Sequence, residues 1–136
     1  MYQNPWKISG NIFNSEDIGE YYGMVYLLEN TSNNKLYVGK KFFWTTVTRQ
    51  KNGKRKKVKV ESDWKNYYGS NKKLKEEIDN IGVDKINRTI LKLCYTKTQC
   101  AYYEMEEQIK RNVLLDEGYY NEFIGGKING KNLKEI

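Results

Sequence analysis

Two short apolar segments separated by turn-forming residues place the strongest constraint on the fold of this chain. Residues 21–29 (YYGMVYLLE) are rich in aromatic and branched side chains, and residues 35–41 (KLYVGKK) alternate between apolar and polar side chains. The residues between them, 30–34 (NTSNN), are of the types that favour turns. The sequence therefore predicts an antiparallel β-hairpin.

A helix is predicted over residues 71–81. Leu74 and Ile78 recur at helical spacing, Ser70 is a suitable N-cap, and Gly82 can end the helix in a conformation that glycine tolerates. We therefore expect an amphipathic helix with one apolar face turned towards a core.

A third strand and a second helix are predicted farther along the chain. Residues 86–95 alternate in the manner of a strand, and Thr98 can cap a helix that runs to about residue 112. The buried stripe of this second helix is predicted to be apolar: Ala101, Met105 and Ile109.

The chain has 136 residues, a length that fits one domain. We interpret residues 1–20 as an N-terminal arm whose apolar residues could pack onto the domain, and residues 21–136 as the domain itself. Within the domain, residues 45–62 form a basic insertion, which is either a loop or a flexible hairpin finger.

Positive charge favours a polyanionic partner. Lys and Arg number 24 against 17 Asp and Glu, which gives a net charge of +7. Residues 49–60 contain seven basic side chains and no acid, so this block is either a solvated segment or a contact for nucleic acid.

The chain contains no histidine. Histidine is the usual general base and a common metal ligand in hydrolases, so Ser-His-Asp, Cys-His and His-metal chemistries are excluded. Cys94 and Cys100 lack a histidine with which to complete a zinc site, and we interpret them as buried or half-buried thiols. A hydrolase of this composition must use Tyr, Lys, Arg and carboxylates.

The sequence also bears on localisation. No apolar stretch approaches the ~20 residues that span a bilayer, and residues 1–13 lack the apolar segment of a signal peptide. We expect a soluble protein in the cytoplasm of the host cell.

The hairpin resembles the signature of the GIY-YIG nuclease family. Tyr26 and Tyr37 lie eleven residues apart, with Val25-Tyr26 matching the end of GIY and Tyr37-Val38-Gly39 matching YIG. Met24 stands where the family has the first glycine. The order of the later elements is also similar, so that the resemblance covers roughly residues 21–132.

The resemblance implies an α+β fold with a small three-stranded antiparallel sheet flanked by helices and a shallow basic cleft. In that cleft a glutamate would hold Mg²⁺ or Mn²⁺, and one of the two signature tyrosines, Tyr26 or Tyr37, would orient or deprotonate the attacking water. A phenol has a pKa of about 10, so nearby cations would have to lower it, and Lys40 and Lys41 could do so. The alternative is that both tyrosines only pack the sheet.

Three glutamates compete for the metal site that the resemblance implies. Glu104 is the preferred candidate because it flanks the predicted apolar stripe, Glu107 lies near it on the helix surface, and Glu106 points farther away. Asn121 resembles the late asparagine that supports the site.

The catalytic arginine of the family has no direct counterpart, because Val47 occupies its spacing beyond the second tyrosine. Arg49 is the nearest candidate, Arg55 is possible, and Lys40 or Lys41 could do part of the work. The predicted nucleic-acid contacts are basic or aromatic: Lys40, Lys54, Arg55, Lys56, Lys57, Trp64 and Tyr67.

Together these features predict a metal-dependent DNA endonuclease of the phage homing or mobile type. One alternative is a nucleic-acid-binding module without catalysis, and another is a degenerate nuclease that acts as a partner protein.

Overall fold

A computed structural model describes residues 1–125 and 128–129 of the chain. It contains nine strands and two α-helices in this part of the chain, in the order β1 (Lys7–Ile8), β2 (Asn11–Ile12), β3 (Gly23–Asn30), β4 (Lys35–Phe42), β5 (Trp44–Lys51), β6 (Lys54–Glu61), α1 (Lys72–Ile81), β7 (Ile86–Cys94), α2 (Lys97–Lys110), β8 (Phe123–Ile124) and β9 (Ile128–Asn129).

The main sheet has five strands in the order β2-β1-β7-β3-β4. The α+β class is confirmed, but the expectation of a three-stranded sheet was wrong. The three predicted strands form β3, β4 and β7, and the two-residue strands β1 and β2 extend the sheet beyond β7. Strands of two residues are too short for an alternating pattern, which is why the sequence did not reveal them.

The predicted hairpin is formed by β3 and β4. Their register pairs Tyr26 with Gly39 and Leu28 with Tyr37. Because side chains alternate across a strand, Tyr26 and Tyr37 lie on the same face of the sheet, and their ring centroids are 6.3 Å apart. Asn34 has φ 61°, a left-handed conformation that asparagine tolerates and that the turn requires.

Apolar side chains fill both faces of the sheet. One core packs the N-terminal segment and α1 against β3 through Trp6, Leu74 and Ile78, among others. The other core lies under α2 and includes Val25, Val38 and the free thiols of Cys94 and Cys100. Both cysteines are buried, as predicted.

Residues 1–20, interpreted as an arm, share the first of these cores. Trp6 is fully buried, and Phe13 and Ile18 are each 2% exposed. Arg88, itself 2% exposed, donates hydrogen bonds to the carbonyl oxygens of Asn4, Gln3 and Tyr67. Its guanidinium lies between the rings of Trp6 and Tyr68, so a buried cation on β7 holds this segment in place.

The two helices begin at residues other than those predicted. Asn71, not Ser70, caps α1, since its side chain accepts a hydrogen bond from the amide of Leu74 at 2.9 Å. Thr96, not Thr98, caps α2 by accepting from the amide of Gln99 at 3.0 Å. The residue types were those that cap helices, and tertiary packing decides which one does so.

The inward face of α2 also differs from the prediction. Ile109 is 56% exposed, whereas Cys100 and Gln108 are buried. The side chains of α2 that face the sheet therefore recur at every fourth position, and they are Cys100, Glu104 and Gln108. This rotation turns Glu104 towards the sheet.

The basic insertion forms a hairpin, which decides between the two alternatives. Strands β5 and β6 pair over their full length from Trp44–Glu61 to Lys51–Lys54 and make a two-stranded sheet of their own. Asn52 and Gly53 both have positive φ at the tip, as a tight two-residue turn requires.

Among the helices of the described residues, none has the length and apolar character needed to cross a membrane.

Candidate active site

A pocket of about 290 Å³ opens at the edge of β4, the outermost strand of the main sheet. It is lined by residues from both faces of the sheet: Tyr26, Tyr37, Lys40, Lys41, Phe42, Trp44, Thr45, Ser62, Ser70 and Glu104. Alternation along β4 places Lys40 on the side of α2 and Lys41 on the side of the tyrosines. The pocket therefore extends around the edge of the strand.

Hydrogen bonds satisfy the outer backbone edge of β4 as far as Val38, and among the described contacts they extend no farther along the strand. Asn121 accepts a hydrogen bond from the Val38 amide at 3.0 Å and donates one to the Val38 carbonyl at 2.7 Å. Gln108 donates to the same carbonyl at 3.1 Å. Asn121 thus holds the strand that carries Tyr37 and Lys40, and its role in supporting the site stays a prediction.

Gly39 provides the space into which Tyr26 extends. A Cβ atom at position 39 would lie 2.4 Å from the hydroxyl oxygen and 2.6 Å from Cζ of Tyr26. No side chain larger than hydrogen fits there without moving the ring. The glycine of the Tyr37-Val38-Gly39 motif thus has a steric reason, because it lets a ring that is 1% exposed reach the pocket.

Burial raises the pKa of both tyrosines. The pKa of Tyr26 is raised well above 10, first by burial and then by the neighbouring hydroxyls of Tyr67 and Tyr37. Burial also raises the pKa of Tyr37, whose hydroxyl lies 3.2 Å from Ser70 Oγ. The expectation that Lys40 and Lys41 lower the pKa values of these tyrosines was therefore wrong.

Each of the two lysines beside the tyrosines is paired with a carboxylate. Lys40 Nζ lies 3.1 Å from Glu104 Oε1, and Lys41 Nζ lies 2.7 Å from Asp63 Oδ1. Lys41 Nζ is also 4.2 Å from the centre of the Tyr67 ring. The positive charge at the pocket is therefore largely balanced before a substrate binds.

Glu104 is the glutamate that the structure brings to the tyrosines. Its side chain is 14% exposed and lines the pocket. Glu107 pairs instead with Arg111 at 3.1 Å, and Glu106 is exposed elsewhere on α2. Glu106 and Glu107 lie two and three positions beyond Glu104, so the three side chains leave α2 in different directions and only that of Glu104 lines the pocket.

A second pocket of about 420 Å³ shares Tyr37, Ser70 and Glu104 with the first and continues it towards Gln108 and Asn121. The two pockets form one cleft with Glu104 at their junction. Gln108 Oε1 is buried and has no hydrogen-bond partner in the part of the chain described.

These oxygens suit a hard cation such as Mg²⁺. In the described ranges no cluster of three or more acidic, Cys or His side chains could enclose a metal. Mg²⁺ needs no such cage, since it is usually held by one or two carboxylates together with water and substrate phosphates. Glu104, with the Gln108 amide one turn later, fits a metal that takes its other ligands from a substrate.

Several predicted site residues lie elsewhere. The side chain of Trp64 is fully buried in the core, with 0% of it exposed to solvent, so the prediction that it stacks on bases was wrong. Its indole packs on Phe43 and Phe13. Tyr67 is half-buried behind the pocket, edge-on to Tyr26 at 6.0 Å.

Neither candidate for the missing arginine reaches the pocket. Arg49 lies four residues beyond Thr45 along β5, about 14 Å at ~3.4 Å per residue. Arg55 is farther still, opposite Gln50 near the tip of the hairpin. In this arrangement Lys40 and Lys41 are the cations that line the pocket, and the assignment of Arg49 as a catalytic residue is not supported.

Sequence reasoning did not place Ser70 or Trp44 in the pocket wall. Ser70 was interpreted only as a helix cap, yet its hydroxyl lies beside that of Tyr37. Trp44 begins β5, three residues after Lys41, and an aromatic residue so soon after the signature strand was the available signal.

The chain matches one family model over residues 6–124, and that model is described as "Putative endonuclease segE, GIY-YIG domain". Searches of the curated proteins and of the solved structures gave no match. The match covers most of the chain, including β1, which lies outside the range of the sequence resemblance. The paired tyrosines on β3 and β4 and the glutamate on α2 are thus features of a chain that belongs to the GIY-YIG nuclease family.

Proposed function

We propose that this domain is a metal-dependent endonuclease that hydrolyses phosphodiester bonds of DNA. Family membership supports nuclease activity in general. The observation that carries the proposal is the convergence of Tyr26, Tyr37, Lys40, Lys41 and Glu104 on one cleft, although they come from three different elements. Packing alone gives no reason for two lysines and a carboxylate to line the same pocket as two tyrosines.

Glu104 is proposed to hold Mg²⁺ or Mn²⁺. A bound ion of this kind would stabilise negative charge on the phosphate and favour ionisation of a water molecule. Gln108 Oε1 offers a further oxygen on the same row of α2. Asn121 holds β4 in position and is proposed to act as a positioning residue.

The tyrosines are proposed to orient the attacking water. Tyr37 Oη and Ser70 Oγ stand 3.2 Å apart on the pocket wall, and two such hydroxyls can hold one water molecule by hydrogen bonds. Tyr26 reaches the same wall past Gly39. Its burial fixes the direction of its hydroxyl.

Lys40 and Lys41 are proposed to contact the scissile phosphate and its neighbour. They are the basic side chains that line the first pocket. Charge-assisted contacts of this kind stabilise the transition state when the phosphate gains charge. We propose that these lysines take over the work that an arginine does elsewhere in the family.

The test is cleavage of supercoiled plasmid DNA by the purified protein, in Mg²⁺ or Mn²⁺ and in chelator. We expect nicking or cutting only with the metal. Glu104→Gln should lower the rate by at least ~10²-fold, the scale of losing a charge-stabilising element. Glu106→Gln is the matched control, since it changes an exposed glutamate on the same helix, and it should cut normally.

Two outcomes would contradict the proposal. Undiminished cutting by Glu104→Gln would remove this residue from the site. Salt-sensitive binding of DNA with no cleavage in any metal would select the non-catalytic binding module, which is favoured by the lack of an arginine in the cleft among the described residues.

The homing or mobile-type role is part of the proposal and is supported by the family resemblance alone. An enzyme of this type cuts at few, defined positions. Mapping the ends produced from a long DNA of varied sequence tests it, and cuts distributed at random would contradict it.

A further inference from the structure

The two faces of the β5–β6 hairpin differ in chemistry. Residues paired across an antiparallel ribbon share a face, and the face alternates at each position. One face, here called the basic face, carries a row of cations on β6 and a row of uncharged polar side chains on β5: Arg55, Lys57 and Lys59, beside Gln50, Thr48 and Thr46. All six are exposed.

The opposite face, here called the valine face, is divided into two parts. Next to the body of the protein it carries Val47, Val58 and Val60, which are half-buried. Its cations lie only towards the tip, where Arg49 pairs with Lys56 and Lys51 pairs with Lys54. Thr45, paired with Val60 on this face, lines the pocket, and Val47 and Val58 lie between it and these cations.

The basic face is continuous with the cleft. Lys59 Nζ lies 4.8 Å from the centre of the Trp44 ring, and Trp44 lines the catalytic pocket. Lys59 is also 5.9 Å from the ring of Tyr22. Glu61, at the base of the same face, is occupied by hydrogen bonds from Ser15 and Trp64. Cations and aromatic rings therefore continue from the pocket to the hairpin.

We propose that the basic face is the surface along which duplex DNA leaves the catalytic cleft, with Arg55, Lys57 and Lys59 on the phosphates of one strand. This inference rests on the proposed function and adds a direction to it. None of the three cations forms a salt bridge within the described residues, so each is available to a phosphate. The hydroxyl and amide groups beside them can donate further hydrogen bonds to the backbone.

The dimensions of the hairpin suit a DNA duplex. Two residues along a strand advance ~6.8 Å, so the row from Lys59 to Arg55 spans about 14 Å, or about four base-pair steps of ~3.4 Å. The major groove of B-form DNA admits a two-stranded β-ribbon, whereas that of A-form RNA is too narrow for side chains to enter. The proposal is accordingly duplex DNA.

The experiment compares two variants that lose the same charges from different faces. The first replaces Arg55, Lys57 and Lys59 by Ser, and the second replaces Arg49, Lys54 and Lys56 by Ser. Each loses one Arg and two Lys from the same hairpin. Binding to a duplex of about 20 base pairs is measured by fluorescence anisotropy in chelator, over a range of salt concentrations, so that cleavage plays no part.

We expect the basic-face variant to reduce the magnitude of the slope of log K against log[salt] by about 2–3, since each phosphate contact contributes about 0.9. The valine-face variant should reduce it by less than about 1. Unequal slopes support the proposal even if the protein fails to cut DNA. Equal reductions in both variants, or no binding by the unmodified protein, overturn it.

Two further measurements keep the result interpretable. Two double variants repeat the comparison if the triple variant is poorly folded. One replaces Arg55 and Lys57 by Ser, and the other replaces Lys54 and Lys56 by Ser. Both keep the contact of Lys59 with the Trp44 ring. The same dependence on the basic face with duplex RNA or with a single strand, at equal or higher affinity, would overturn the assignment of duplex DNA. Failure of the cleavage assay alone contradicts the proposed function and leaves this surface intact.

Discussion

The side-chain amide of Asn121 occupies the place of a backbone peptide beside Val38. It accepts from the Val38 amide and donates to the Val38 carbonyl, at 3.0 and 2.7 Å. A strand edge is thereby satisfied by a side chain, and the next residue, Gly39, begins the open part of the edge where the candidate active-site pocket lies.

The first prediction concerns this contact. Asn121→Asp keeps the shape but replaces the donor with a carboxylate oxygen facing the Val38 carbonyl. We expect a loss of about 1–3 kcal/mol in the free energy of unfolding, the cost of an unmade buried hydrogen bond, and a loss of cleavage. Urea denaturation measures the first. Asn80→Asp, at an exposed position of α1, is the control, and equal stability of the two variants would contradict the role of Asn121.

The second prediction concerns the two signature tyrosines. Tyr26→Phe and Tyr37→Phe each remove one hydroxyl and keep the ring, so the fold should survive while the rate of cleavage falls by about 10²-fold or more, as for loss of a group that handles the attacking water. Tyr102→Phe, at a residue that is 65% exposed, should have no effect. If the loss of activity only followed a loss of melting temperature, the tyrosines would be packing residues.

The third prediction tests the close approach of Gly39 to Tyr26. Gly39→Ala should destabilise the fold by about 1–3 kcal/mol, the usual cost of overpacking, and lower activity because the Tyr26 ring must move. Tyr26→Phe should relieve part of this cost in the double variant. Relief is incomplete because the new Cβ would still lie 2.6 Å from Cζ. Additive effects of the two changes in a double-mutant cycle would show that the contact is absent.

The fourth prediction concerns Glu61, which links the hairpin to the core. Hydrogen bonds from Ser15 at 2.7 Å and from Trp64 at 2.9 Å lower the pKa of its carboxyl from 4.5. The resulting stabilisation is fully present above about pH 4.5 and is lost as the pH falls through the lower value of the folded state.

Glu61→Gln should therefore lower the melting temperature slightly at pH 7 and converge with the unmodified protein near pH 3. The effect is small because the group is exposed. Glu117→Gln, at an exposed turn position, is the control. A melting-temperature difference between the Glu61 variant and the unmodified protein that stayed constant from pH 7 to pH 3 would contradict the assignment.

Local patterns predicted the elements well and the tertiary arrangement poorly. The β3–β4 hairpin and both helices follow from alternation, helical spacing and turn residues, which act over a few positions. The side of α2 that faces the sheet was partly misassigned. Of the predicted apolar stripe, Met105 packs on the second core but Ile109 is exposed, while Cys100 and Gln108 are buried. Such a rotation depends on what lies opposite the helix, which no local pattern contains.

The dependence on tertiary arrangement also explains which site residues could be predicted from the sequence and which could not. Tyr26, Tyr37, Glu104 and Asn121 were identified through the family resemblance. The burial of Trp64 and the distance of Arg49 from the cleft depend on how the hairpin leaves the body of the protein. An aromatic residue next to a basic block has the composition of a nucleic-acid contact whether it faces solvent or the core.

The anchoring of the first residues by Arg88 has a consequence for synthesis of the chain. The carbonyl groups of Gln3 and Asn4 find their donor only on β7, 84 or 85 residues later. On a ribosome, residues 1–20 must therefore wait until β7 has emerged, with Trp6 and Phe13 still uncovered. During that interval the nascent chain presents apolar surface, and docking of residues 1–20 is among the later events of its folding.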